Sequence, residues 1–108
     1  MPQIEIRRIE TAQTYALRGA ILRPGHPPSE SVFEGDDAPD TFHLGAFVDE
    51  KLLGIATFFP ENAPFSPDSK AYRLRGMAVA QAAQGTGLGR ATIEEALRLL
   101  EARGVEIL

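Results

Sequence analysis

The residues with the clearest chemical potential are Gln84-Gly85-Thr86-Gly87-Leu88-Gly89-Arg90. Three glycines alternate here, after the apolar run Met77-Ala78-Val79 and before a long amphipathic pattern. Glycine accepts positive φ and, lacking Cβ, lets another group touch the backbone. The first turn of a helix carries unpaired N–H groups and the positive end of the helix dipole. A glycine-rich turn entering a helix is therefore a seat for an anion, most naturally a phosphate. The bland alternative is a turn that binds nothing. Two familiar phosphate loops do not fit. A Walker-type loop needs Gly-Lys-Ser/Thr at its end, whereas Gly89 is followed by Arg90 and Ala91. The dinucleotide fingerprint needs a glycine at position 90.

Such a seat needs a strand before it and a helix behind it. Tyr72, Leu74, Gly76 and Ala78 alternate with Arg73, Arg75 and Met77, which predicts a strand over 70–79. Gly76 marks a bulge or a close backbone approach within it. From Gly87 to Arg103, Ile93, Ala96, Leu97 and Leu100 recur at helical spacing, with Glu94 and Arg98 as an i,i+4 pair on the wet face and Gly104 as the stop. Upstream, Ile4, Ile6 and Ile9 predict a short strand. Thr11 is the expected N-cap of a helix burying Tyr15, Leu17, Ala20, Ile21 and Leu22 and ending near Arg23, before Pro24, Pro27 and Pro28. Residues 41–48 and 52–59 read as an antiparallel hairpin turning at Asp49, Glu50 and Lys51. Three prolines make 60–69 a loop, and Val105-Glu-Ile-Leu108 begins a further strand.

Other ionisable residues are weaker candidates. Glu30, Glu34, Asp36, Asp37 and Asp40 fall in a Pro- and Gly-rich stretch with almost no cation. This stretch is either a solvated loop or the wall of an acceptor site that attracts a cationic amine. His26 has no partner at metal-ligand spacing. His43 lies inside a strand and reads as structural. As a base, His43, Glu61 or a loop acid would need a substrate within reach, so no catalytic residue is assigned.

Gln84-x-x-Gly87-x-Gly89 resembles the Q/R-x-x-G-x-G/A signature of the GNAT-type N-acyltransferases, and Leu74-Arg-Gly-Met-Ala-Val79 resembles their fourth strand. Gln81 departs from the family, which often has proline there. The resemblance implies an α+β fold, with a mixed, mostly antiparallel sheet flanked by helices. It implies acetyl-coenzyme A as co-substrate, with its pyrophosphate on the loop amides and its pantetheine arm along a bulged strand. The implied contacts are Met77, Ala78, Val79, Gln84, Gly85, Thr86, Gly87, Leu88, Gly89 and Arg90. In that family a further strand, helix and hairpin follow the point where this chain ends, and usually supply an asparagine and a tyrosine. On this likeness, 1–108 is one acyltransferase-like domain matching the N-terminal two-thirds of the fold.

The whole chain sets limits. At 108 residues with 44% apolar content, it suits one globular domain with a core. A net charge of −4 argues against nucleic acid as main partner. Without cysteine there is no disulfide, thiolate metal site or cysteine nucleophile; no metal is expected, and the cytoplasm is the expected compartment. No apolar run approaches membrane-span length. The expected function is transfer of an acetyl group from coenzyme A to a primary amine on a small molecule or peptide. The alternatives are a coenzyme A-binding or regulatory module without turnover, or a fragment whose unfinished sheet pairs with another chain, a homo-oligomer included.

Overall fold

The computed structural model describes residues 4–63, 66–104 and 106–107, with side chains described outside 28, 61–70 and 105–108. Strand β1 (Ile4–Ile9) lies at one edge and pairs antiparallel with β2 (Phe42–Val48). β2 pairs with β3 (Lys51–Ala63), and β3 with β4 (Ser66–Val79), both antiparallel. β5 (Glu106–Ile107) adds parallel to β4, giving the order β1-β2-β3-β4-β5. The expected mixed, mostly antiparallel sheet is present.

Alternation in the strands sends side chains to two covered faces. On one face Phe42, Leu44, Ala56, Phe58 and Tyr72 form the core with Ala96 and Leu100 of helix α2 (Leu88–Glu101). Phe42 stacks on Phe58 at 4.9 Å between centroids and meets Tyr72 edge-on at 5.3 Å. The opposite face carries His43 and Thr57 and is covered by the first helical segment. That segment runs as a 3-10 turn (Thr11–Thr14), a short α-helix, α1 (Tyr15–Leu17), and a π-helical stretch (Arg18–Leu22).

Several expectations need correction. The first segment is capped at Glu10, not Thr11: the Gln13 side-chain carbonyl accepts the Glu10 N–H at 2.8 Å. Its fully buried side chains are Thr14 and Arg18, while the apolar residues beside them are half-buried or exposed. Helix α2 buries Leu88, Thr92, Ala96 and Leu100 and leaves Leu97 47% exposed, so its inner stripe follows i+4 steps that include a threonine. The Thr92 hydroxyl is satisfied there by donating to Leu88 O at 2.8 Å. Arg98 pairs with Glu95, and Glu94 with Arg90, in place of the expected Glu94–Arg98 pair.

Residues 60–69 are not all loop. Pro60 pairs with Tyr72 and Asn62 with Lys70, so the β3–β4 hairpin extends through this stretch. Pairing between β2 and β3 ends at Phe42↔Phe58, and a proline is tolerated where one flank of a strand is unpaired. The β2–β3 turn is tighter than expected: Val48 pairs with Lys51, leaving Asp49 and Glu50 at φ 48° and 70°. Two consecutive positive φ values match the hairpin turn whose twist suits the flanking strands.

Candidate coenzyme and acceptor sites

β4 carries the bulge foreseen at Gly76. Thr57 pairs with Arg75 and Ile55 with Ala78, so Gly76 and Met77 together oppose Ala56. Gly76 has φ 66°, the left-handed region where glycine is favoured. A Cβ at this position would sit 2.7 Å from Phe33 Cε2. β5 pairs with β4 only at Ala71 and Tyr72, so the β5-side flank of β4 from Arg73 to Val79 has no strand partner among the described residues.

After Val79 the chain makes a 3-10 turn (Gln81–Ala83), then the glycine loop, then α2. Buried Ala83 and Leu88 anchor the loop at both ends, packing with Ala46 and against Leu53 and Val79. Burying a leucine contributes about 1.5–3 kcal/mol, enough to hold the start of a helix in place. Between these anchors the loop is exposed. Gly85 has φ 80° and Gly87, the N-cap of α2, has φ 87°; neither has an atom within 4 Å of the place a Cβ would occupy. The first intrahelical bond is Ala91 N–H to Gly87 O at 3.0 Å. The N–H groups of Gly85, Gly87, Leu88, Gly89 and Arg90 thus have no acceptor among the described residues. This is a row of donors with open space beside Gly85 and Gly87, a fit to an anion such as a pyrophosphate.

The remaining expected contacts have other duties. Gln84 donates its side-chain amide to Val79 O at 3.1 Å, and Thr86 its hydroxyl to Ala83 O at 2.5 Å. Both brace the loop. Gly89 has helical φ, so positive φ is not its reason for being glycine. It is small because a Cβ would lie 2.7 Å from the Met77 methyl. Arg90 Nε holds Glu94 at 3.1 Å on the exposed surface.

The loop acids go separate ways. Asp36 is buried and takes a two-pronged contact from Arg18: NH1 to Oδ2 at 2.7 Å and NH2 to Oδ1 at 2.9 Å. Phe33 N–H adds a bond to Oδ2 at 2.8 Å. Arg18 also donates to Ser31 O at 3.0 Å and Thr57 Oγ1 at 2.7 Å, and lies 4.0 Å from the Phe33 ring centroid. Burial opposes ionisation of Asp36, but the Arg18 and Phe33 hydrogen bonds outweigh it and hold its carboxyl below the usual range. Asp36 is thus buried and ion-paired and does not lie in a solvated loop. Asp37 borders a separate cavity of about 660 Å³, and Glu30 pairs with His26.

His43 belongs to the same buried network. Its Nδ1 meets Thr57 Oγ1 at 2.8 Å, and Nε2 meets Asp36 O at 3.1 Å. A carbonyl only accepts, so Nε2 carries the proton and Nδ1 accepts from the Thr57 hydroxyl. Burial pushes the imidazole below its ordinary value, outweighing the Asp36 carbonyl bond that favours the charged form. Both nitrogens of His43 are thus engaged within the protein, and His43 and Asp36 also border the cavity beside Asp37. The Glu61 side chain lies outside the described residues.

A cavity of about 860 Å³ adjoins the bulge, with Gly76, Arg75, Phe33, Phe59 and Glu34 on its wall. Sequence reading identified none of these as acceptor-site residues except Glu34, as one of the loop acids, because the wall forms only when the 23–34 stretch folds back on β4. Among the described residues there is no group of three metal-ligating side chains, and no helix long and apolar enough to cross a membrane.

A bulged fourth strand leading through a glycine loop into a helix is the arrangement of an acyl-coenzyme A-dependent transferase. The profile of the acetyltransferase (GNAT) family matches residues 5–108, and the chain belongs to that family. The uncharacterized N-acetyltransferase YitI of Bacillus subtilis (strain 168) is 36% identical over 103 residues, covering 95% of this chain and 69% of YitI. The fold is similar to glucosamine-6-phosphate N-acetyltransferase from Arabidopsis thaliana, with TM-score 0.71 and 16% identity over 98% of this chain and 80% of that one. It is also similar to aminoglycoside N-acetyltransferase AAC(6')-Iy in complex with CoA, with TM-score 0.76 and 20% identity over 99% and 76%. The family's chemistry is acyl transfer from coenzyme A to an amine.

Proposed function

We propose that this chain binds acetyl-coenzyme A on the glycine loop and transfers the acetyl group to an amine held in the cavity beside Gly76. The observation that carries the reading is the row of unpaired amides at Gly85 and Gly87 to Arg90. These amides would take the pyrophosphate, and Arg90 adds a charge beside it. Gln84 and Thr86 hold the loop's shape, and Leu88 fixes its far end. Backbone groups of Met77, Ala78 and Val79 would hold the pantetheine arm on the open flank of β4. Gly76 lies three residues back along the strand, roughly 10 Å from Val79 at the usual strand rise. The acceptor cavity adjoins that point.

When bound, acetyl-coenzyme A supplies the acyl carbon: the amine lone pair forms the C–N bond, the C–S bond breaks with its electrons on sulfur, and the amine proton ends on the thiolate. Holding both reactants in line supplies much of the acceleration. Of the loop acids, Glu34 alone borders this cavity with no side-chain partner among the described residues, which supports it as the group that would take up a proton. A second reading, binding without turnover, is favoured by the engagement of His43 and Asp36 in the buried network.

Calorimetric titration with coenzyme A tests the binding half. The parent should bind, whereas Gly87→Val should lose at least about fivefold in affinity, since holding a β-branched residue at positive φ costs about 1–3 kcal/mol. A folded Gly87→Val protein that binds as the parent does would sink the assignment. Thiol release on adding an amine to the acetyl-coenzyme A complex separates transfer from binding alone.

A further inference from the structure

The acceptor cavity has an uneven charge pattern. Leu22, Val32, Phe33 and Phe59 give it an apolar wall, and Leu22 and Val32 are exposed to solvent at 36% and 53%. Four charged residues and one histidine complete the lining. Glu30 is engaged by His26, which leaves Arg23, Arg75 and Glu34. The side chains of these three have no hydrogen-bond or ion-pair partner among the described residues. The unpartnered side chains are thus two guanidinium groups and one carboxylate.

A third guanidinium stands behind the wall. Arg18 packs on the Phe33 ring, and its Nε is the one buried side-chain polar atom without a partner among the described residues. It would lie 3.3 Å from a Cβ at Gly76. The charge of Arg18 is met by Asp36, so the guanidinium groups without a partner at this cavity are those of Arg23 and Arg75. A simple cationic amine offers these two guanidinium groups no acceptor. An amine that also carries a carboxylate does, since arginine forks match carboxylate geometry.

We infer that the acceptor is an amine bearing a carboxylate and an apolar body, of the amino-acid type, with its carboxylate on Arg23 and Arg75 and its apolar part against Phe33 and Phe59. This inference rests on the reading of the cavity as the acceptor site. Glu34 is the counter-charge for the amine end. The transferred acetyl carbon gains the C–N bond at that amine and loses its C–S bond to the departing thiol; the carboxylate takes no part in the bond changes.

Three probes of one shape test it: L-phenylalanine, 2-phenylethylamine without the carboxylate, and 3-phenylpropionate without the amine. Binding to the whole chain is measured by calorimetry at low salt. L-Phenylalanine should bind at least about tenfold more tightly than 2-phenylethylamine, because a site built for a polar group rejects the analogue lacking it. In the double variant Arg23→Gln, Arg75→Gln that preference should fall to about threefold or less, a difference near 0.6 kcal/mol. Coenzyme A affinity should be unchanged in that variant, which also controls for folding. Equal or tighter binding of 2-phenylethylamine, a preference that survives the double variant, or no binding of any probe at millimolar concentration would overturn the inference. Coenzyme A binding with preferred acetylation of 2-phenylethylamine leaves the transferase reading standing and removes this one. Arginine-dependent binding of L-phenylalanine without coenzyme A binding does the reverse.

Discussion

Asp36 and Asp37 are neighbours in sequence, and the structure assigns them opposite weight. Asp36 is 4% exposed and takes two hydrogen bonds from a guanidinium that is itself fully buried. Asp37 is exposed. Asp36→Asn keeps the shape of the side chain but removes its charge and turns an amide N–H toward a guanidinium N–H. Arg18 then keeps Ser31 O, Thr57 Oγ1 and the one remaining carbonyl oxygen at position 36 as acceptors, with no anion among them. Breaking one side of a buried ion pair costs about 3–5 kcal/mol, because the remaining charge stays desolvated. A domain of this size has about 5–15 kcal/mol in total. With a urea m-value of about 1–3 kcal/mol/M, the midpoint should fall by at least about 1 M, if the variant folds at all. Asp37→Asn should stay within about 0.5 kcal/mol of the parent. The double variant Arg18→Met, Asp36→Leu removes both charges and should recover most of the loss. Urea unfolding followed by circular dichroism decides it. If Asp36→Asn and Asp37→Asn have the same midpoint as the parent, the buried network does not hold the loop to the sheet.

The same network predicts a pH dependence. The folded-state pKa of His43 lies below its ordinary 6.5, so as pH falls through that value the unfolded chain takes up a proton that the folded chain refuses. Stability should therefore decline on acidification below about pH 6.5, with a slope of up to about 1.4 kcal/mol per pH unit. In His43→Gln that part of the slope should vanish from urea midpoints measured between pH 5 and 8. The depressed Asp36 carboxyl contributes stability above its unfolded pKa, which is lost at lower pH as it protonates. On α2, Leu100→Ala should cost about 2–5 kcal/mol, while Leu97→Ala should be nearly neutral, as thermal or urea unfolding can check. Arg90→Ala should weaken coenzyme A binding by about 1–2 kcal/mol, the scale of a charge-assisted hydrogen bond. Glu94→Gln should strengthen it slightly by freeing that guanidinium, as read by calorimetry.

Legibility in the sequence followed the physics of each element. β1 to β4 were readable because alternation records which side chains face the core. The glycine loop was readable because positive φ at Gly85 and Gly87 leaves few other residue choices. Gly76 announced its bulge for the same reason. Arg18 was not readable. Helical periodicity assigns an arginine to the wet face, and its burial depends on an aspartate 18 residues away that only tertiary folding brings near. Thr92 was missed on α2 because a threonine scores as polar until its hydroxyl is seen bonded within the helix. The wall of the proposed acceptor cavity was unreadable for a similar reason, since Phe33 and Arg75 come to line it through the fold and not through spacing.

The central claim is that the loop amides hold the pyrophosphate of coenzyme A. Backbone amide chemical shifts, followed by NMR as coenzyme A is titrated into the labelled chain, test it most directly. The account predicts saturable shifts concentrated at Gly85 and Gly87 to Arg90, continuing into Met77 to Val79, with little change at Asp37 or along β1. Shifts scattered over the surface, or centred elsewhere while the loop amides stay still, would contradict it.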